Sequence, residues 1–294
     1  MMIKKIRKAI FGTATAALAL SPMAASAADT QPGDFIAAPP GTNGILLYGI
    51  YGNNDGATIG GVDLPASLES YVIMPRYVYF FEVGGMTADI NVLLPMGKLS
   101  NGSLGGADLG SADGFGDLTV AATLWLVNNP ASNRYMGVAG YLNFPTGSYD
   151  PDDALNLGSN RVSGTLQLGG VYGLSEKWYL DLVGDVTLYG DNRNANGAGG
   201  ILSQDPTYTV QSWINYQSTD KLRLSLGYGG YWGGDQSLDD IANGITSEKQ
   251  QVRAAATISI TPTLQLLGQI NHDFDVKGGF KQDVSALFRI MKVF

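Results

Sequence analysis

The sequence predicts an all-β fold, a transmembrane antiparallel β-barrel of about 12 strands with short periplasmic turns and long extracellular loops. Three observations predict it. Hydropathy alternates with a period of two, connections alternate between long and short, and outward-phased aromatic residues gather at two levels.

Residues 1–27 read as a secretory signal peptide, so the chain is expected to leave the cytoplasm and lose this leader. Lys4, Lys5, Arg7 and Lys8 precede an apolar run from about Ala9 to Leu20, and Ala25-Ser26-Ala27 supplies the small-residue cleavage site. That run is too short to span a bilayer as a helix. The chain has no Cys, which excludes a disulfide scaffold and a lipid-anchored cysteine. Its formal charge of −8 becomes more negative without the leader, so nucleic acid is not an expected partner. Residues 28–43 are Pro-rich and precede the first strand. They are expected to be a periplasmic tail, with a small plug in the lumen as the alternative. Residues 44–294 are assigned to the barrel.

The expected strands lie near 44–52, 70–82, 84–95, 116–127, 134–145, 160–173, 177–189, 206–217, 220–232, 247–260, 262–274 and 280–294. The seventh shows the pattern well. Trp178, Leu180, Leu182, Gly184, Val186 and Leu188 share one face, and Asp181, Asp185 and Thr187 the other. Alternation alone would suit a soluble sandwich equally well. The connections separate the two folds. Long Gly/Asp/Asn-rich gaps at 53–69, 96–115, 146–159, 190–205 and 233–246 alternate with short ones near 83–84, 128–133, 175–177, 218–220 and 261–262. An outer-membrane barrel has this layout.

Outward-phased Tyr172, Trp178, Tyr216 and Phe294 fall at short-turn ends, and Phe144, Tyr208 and Trp232 at long-loop ends. They are expected to form the two aromatic girdles of a bilayer. The opposite face carries Arg76, Asp89, Asp117, Asp181, Asp185, Arg223, Arg253 and Arg289, with Tyr141 and Trp213 among its aromatics. These are the expected lumen-lining residues. Rings in a lumen offer either a sliding path for an aromatic solute or plain filling of a modest barrel. The last strand places Val284, Ala286, Phe288, Ile290 and Phe294 toward lipid, with Lys292 as an exception close enough to the interface to snorkel.

No catalytic constellation is visible. His272, the only histidine, is phased outward at a strand end, and no Cys is present, so neither a zinc site, another metal nor a cofactor is expected. Gly169, Gly227 and Gly229 are read as positions where strands bend.

Three stretches carry a family resemblance: PPGTNGILLYGIYGNND (39–55), GFGDLTVAATLWLV (114–127) and NFPTGSYDPDDALNLGSNR (143–161). Together they resemble the outer-membrane family associated with meta-pathway phenol degradation. The resemblance implies a channel or transporter for small hydrophobic or aromatic compounds, not an enzyme. It implies the outer membrane of a Gram-negative bacterium, with lipid and lipopolysaccharide as surroundings. The closing strand ending at Phe294 also resembles the signal read by the barrel-assembly machinery. The alternative is a non-conducting barrel that binds or supports something through its surface loops.

Overall fold

A computed structural model describes residues 28–294; the expected signal peptide lies outside them. The chain enters the barrel at β1 (Asn43–Ile59), turns at Gly60-Gly61, and returns as β2 (Val62–Val83). Both glycines have positive φ, 57° and 75°, as a two-residue turn between right-twisted strands demands. β3 (Met86–Leu93) is interrupted at Leu94-Pro95 and resumes as β4 (Met96–Leu104); β5 (Ala107–Phe115) likewise passes into β6 (Leu118–Asn129). β7 (Arg134–Phe144), β8 (Ser163–Gly173), β9 (Trp178–Tyr189), β11 (Thr207–Gln217), β12 (Leu222–Gly233), β15 (Lys249–Thr261), β16 (Leu264–Val276) and β17 (Gly279–Val293) complete the wall. Short strands β10 (Leu202–Gln204), β13 (Gln236–Leu238) and β14 (Ile241–Ala242) form a small separate sheet in the long loops.

Each wall strand pairs antiparallel with its neighbours. The circuit β1-β2-β3-β6-β7-β8-β9-β11-β12-β15-β16-β17 closes where β1 pairs with β17, from Gly44↔Val293 to Thr58↔Gly279. Closure leaves the membrane-spanning wall without an unpaired edge, as hydrocarbon requires. The fold is therefore the expected closed barrel of 12 wall strands.

Two boundaries differ from the sequence reading. Residues 53–69 and 96–115 are not loops. β1 and β2 continue past the membrane as a hairpin, and β4 with β5 forms a second one paired to β2 from Ala66↔Leu104 to Ile73↔Met96. Gly and Asn in these stretches lower strand propensity and mark turns, but pairing with an existing template overrides that preference.

Burial follows the pleat. On β12 and β15, Leu224, Leu226, Val252 and Ile258 are exposed to the surroundings, while Ser225, Arg253 and Thr257 are buried. The exposed faces are apolar and the buried ones polar, the reverse of a soluble protein, and the arrangement of a barrel in lipid. A second small core lies beyond the wall, where Leu68, Leu99, Leu155, Leu157 and Ile245 pack with Phe280 and Leu109. It joins both hairpins to the loops at 145–162 and 234–248 across the long-loop end.

Candidate functional site: the lumen and the segment inside it

The lumen wall is polar because every second strand residue points inward. Asp89, Asp181, Arg253 and Arg289 are all buried, at 4%, 4%, 4% and 3% exposure, with Trp213 at 1% and Tyr141 at 9%. Arg76, Asp185 and Arg223 are half-buried on the same face. Arg76 Nε donates to Asn91 Oδ1 at 2.8 Å, and Asn91 Nδ2 donates to Asp89 Oδ1 at 2.7 Å, so one belt of the wall is cross-linked. On the facing side Asn215 Nδ2 donates to Asp181 Oδ1 at 2.9 Å. Low local dielectric makes such pairs matter, since a buried unpartnered charge is expensive.

Asp117 behaves differently. It stands between β5 and β6, and its carboxylate accepts from the backbone N–H of Gly147 (3.0 Å) and of Ser159 (2.9 Å) and from Ser159 Oγ (2.5 Å). It therefore anchors the loop that carries the 143–161 run. Gly147 and Gly158 lie so close that a Cβ on Gly147 would sit 2.7 Å from Gly158 Cα. Asn156 ties the same loop, accepting from Asp150 N at 2.7 Å and donating to Asp150 O at 3.0 Å. The glycines, Asn and Asp of this run thus have a folding reason.

Residues 28–42 make their contacts inside the barrel, which a tail hanging in the periplasm would not do. The segment rises from Asn43, where Gly41 N donates to Phe80 O at 2.8 Å, to Ala28, whose carbonyl accepts from Gln167 Nε2 at 2.9 Å. Asp34 accepts from Arg289 Nη1 at 2.7 Å, and Gly33 N donates to Asp181 Oδ2 at 2.8 Å. Asp29 lies 3.6 Å from Arg253 Nη2 and accepts from Tyr231 OH at 2.6 Å. Two tryptophans of the wall also grip its backbone: Trp125 Nε1 donates to Phe35 O at 2.8 Å and Trp213 Nε1 to Thr30 O at 3.2 Å. Phe35 is buried among Phe80, Trp125, Tyr135, Val171 and Val183.

The inward glycines make room for these groups. A Cβ on Gly169 would lie 2.3 Å from the Phe35 ring, one on Gly227 2.5 Å from the Trp213 ring, and one on Gly229 2.6 Å from Arg253 Nη2. A side chain at any of the three would collide inside the lumen, a reason for glycine beyond the bending expected from sequence. Sequence reasoning missed Phe35, Asp29 and Asp34. The signal was there, since an aromatic preceded by two acids stood opposite an arginine-bearing wall.

With the segment in place the lumen holds cavities rather than a wide bore. One of about 210 Å³ lies on the long-loop side, bordered by Ala28, Arg161, Asp185, Tyr189, Lys249 and Phe280 among others. Another of about 130 Å³ lies between Tyr48, Met74, Arg76, Gln251 and Leu287.

The lipid face carries its aromatics at two levels. Trp178 and Tyr216 are register partners at the short-turn end with rings 4.8 Å apart, and Tyr172 there stacks under Arg134 at 4.7 Å. Tyr208 and Trp232 are register partners at the other end, and Phe144 stands exposed at the end of β7. Tyr216 to Tyr208 spans roughly 26 Å of strand at about 3.3 Å per residue, or about 20 Å of depth with a tilt of about 40°. Phe294 is 63% exposed and its backbone pairs with Asn43. Lys292 Nζ reaches Thr263 Oγ1 at 2.7 Å on the neighbouring turn, so its charge lies at the rim. His272 faces outward, its Nδ1 2.6 Å from Asp283 O.

Comparison with known proteins gives this geometry a context. A family model described as "Putative MetA-pathway of phenol degradation" matches residues 51–287. Among solved structures, an outer membrane channel from Pseudomonas putida F1 is 34% identical, with a TM-score of 0.86 over 90% of this chain and 100% of that one. The β domain of the Bordetella autotransporter BrkA (10% identity, TM-score 0.55, 85% and 98% coverage) shares the fold. So does the transport unit of the Escherichia coli autotransporter AIDA-I (10%, 0.54, 93% and 96%). No curated protein matches the chain.

Proposed function

The chain belongs to the family described by the MetA-pathway of phenol degradation, an outer-membrane barrel of a Gram-negative bacterium, and we propose that it admits small hydrophobic or aromatic compounds, with residues 28–42 as a movable plug. The observation that carries the reading is the occupied lumen. A wall of arginines, aspartates and aromatic rings is obstructed by a segment of the same chain held through polar contacts, not by a covalent link. Polar contacts of this kind exchange readily with water, so a seat that is filled at rest can empty. The rings of Trp125, Trp213, Tyr141, Tyr179 and Tyr231 then face the vacated path. They offer flat apolar surfaces to an aromatic solute. The 34%-identical structure is itself named an outer membrane channel, which supports the class of function.

Single-channel recording of the refolded protein in planar bilayers, with uptake of phenol into proteoliposomes, tests this reading. The expected result is intermittent conductance together with phenol uptake above that of empty vesicles. A folded barrel that neither conducts nor passes phenol, even after deletion of residues 28–38, would overturn it. The small core that ties the long loops together supports a second reading, a barrel acting through its surface loops, and that outcome would favour it.

A further inference from the structure

The run at 143–161 ends on Arg161, which the loop-folding contacts of Gly147, Asn156, Gly158 and Ser159 do not account for. Arg161 is 8% exposed and stacks its guanidinium 4.7 Å above the Tyr189 ring. Nη2 bonds to Gln204 Oε1, but buried Nη1 has no protein partner. The carboxylates whose charges reach it are committed elsewhere. Asp117 is saturated by Gly147 and Ser159, and Asp191 lies 4.0 Å from Arg193 at the surface. Burial lowers the Arg161 pKa, opposed by Tyr189, Asp117 and Asp191. A desolvated guanidinium that borders a cavity and leaves one N–H unpartnered is an unfilled anion seat.

That cavity is the one of about 210 Å³ above the segment inside the barrel. Its rim is an ordered polar ring. Gln204 Nε2 donates to Ser247 Oγ at 3.1 Å, Thr207 Oγ1 to Ser247 Oγ at 3.2 Å, and Tyr189 OH to Thr207 Oγ1 at 3.0 Å. Tyr231, Ile245 and Phe280 supply apolar wall, and Lys249 sits 4.9 Å over the Tyr231 ring as a second cation. Three acids also face the space. Asp29 is paired with Arg253, Asp273 accepts from Gln251 Nε2 at 2.7 Å, and Asp185 accepts from Gln167 Nε2 at 3.1 Å. Asp185 lies about 13 Å back along β9 from Tyr189, at roughly 3.3 Å per residue, so it is set away from the arginine. These acids disfavour a multiply charged ligand such as phosphate. A monoanion with a single ring satisfies both ends, and a cavity of about 150 Å³ already holds benzene in a protein.

We propose that this cavity captures a small aromatic carboxylic acid, with the carboxylate on the Arg161 guanidinium and the ring against the Tyr231 and Phe280 side. The inference rests on the channel reading and extends its solute class to aromatic monoanions. Capture here places the acid directly above the segment that blocks the lumen.

Isothermal titration of the detergent-solubilised full chain with benzoate, benzamide and inorganic phosphate tests it. Benzoate is expected to bind saturably and at least tenfold tighter than benzamide, its neutral analogue, with no saturable phosphate binding. R161Q is expected to lose benzoate binding tenfold or more, and R161K to keep part of it, because lysine retains charge but not the fork. Equal binding of benzoate and benzamide, tight phosphate binding, or unchanged benzoate affinity in R161Q would overturn the proposal. Should R161Q fail to fold, the wild-type benzoate-to-benzamide ratio and R161K decide the question. Phenol uptake into proteoliposomes reads the channel function separately, so failure of the anion site is distinguishable from failure of the channel.

Discussion

Asp34→Asn, alone and with Asp29→Asn, perturbs the segment inside the lumen without altering the wall. Asp34 Oδ1 lies 2.7 Å from Arg289 Nη1, and the two side chains are 16% and 3% exposed. A hydrogen bond to a charged group contributes about 1.5–3 kcal/mol net. Complete loss of a buried partner costs about 3–5 kcal/mol when the remaining charge stays dry. The lower range applies here, because Arg289 keeps Gln265 Oε1 at 3.2 Å and gains water if the segment leaves. About 1.4 kcal/mol is a factor of ten in an equilibrium. Asp34→Asn should therefore raise the population with the segment displaced by roughly tenfold to a hundredfold. Asp29→Asn removes the negative charge opposite Arg253 and weakens the bond from Tyr231 OH, so the double variant should open further. The assay is open probability in single-channel recordings, with heat-modifiable migration as the check on folding. An open probability unchanged in the double variant, with the barrel folded, would refute the reasoning that these contacts hold the segment in its seat.

Three further outcomes follow from particular contacts. Gly169→Ala drives a methyl to 2.3 Å from the Phe35 ring, so it should unseat Phe35 at a cost of about 1–3 kcal/mol and alter the near-UV circular dichroism of Trp125 while leaving the barrel intact. Leu226→Arg places a charge on a lipid-facing site that is 65% exposed, and should lower folding stability in vesicles by about 2–4 kcal/mol in a urea titration, whereas Thr219→Arg in the turn should change it little. Asp117→Asn weakens the anchor of residues 147 and 159, so limited proteolysis should cut the loop at 145–162 faster than in the wild type, with the wall strands still protected.

The sequence alone determined the wall. Strands such as β9, β12 and β15 announce their lipid and lumen faces because side chains alternate with a strict period of two, and a one-residue slip would expose every Asp and Arg to hydrocarbon. The same alternation put Asp89, Asp181, Arg253 and Arg289 on the buried face. Tertiary structure decided what no local period encodes. The hairpins at 53–69 and 96–115 look like loops in sequence, and become strands only because β2 offers them an edge to pair with. Asp117 reads as a lumen residue by phase, yet its carboxylate is taken by a loop that arrives from residues 147 and 159. The segment 28–42 has no periodic pattern at all. Its place follows from polar groups and ring clearances contributed by strands 90 to 255 residues away, such as Trp125, Gly169 and Arg289. A barrel wall is specified by the repeat of one strand, and the contents of its lumen only by the meeting of many.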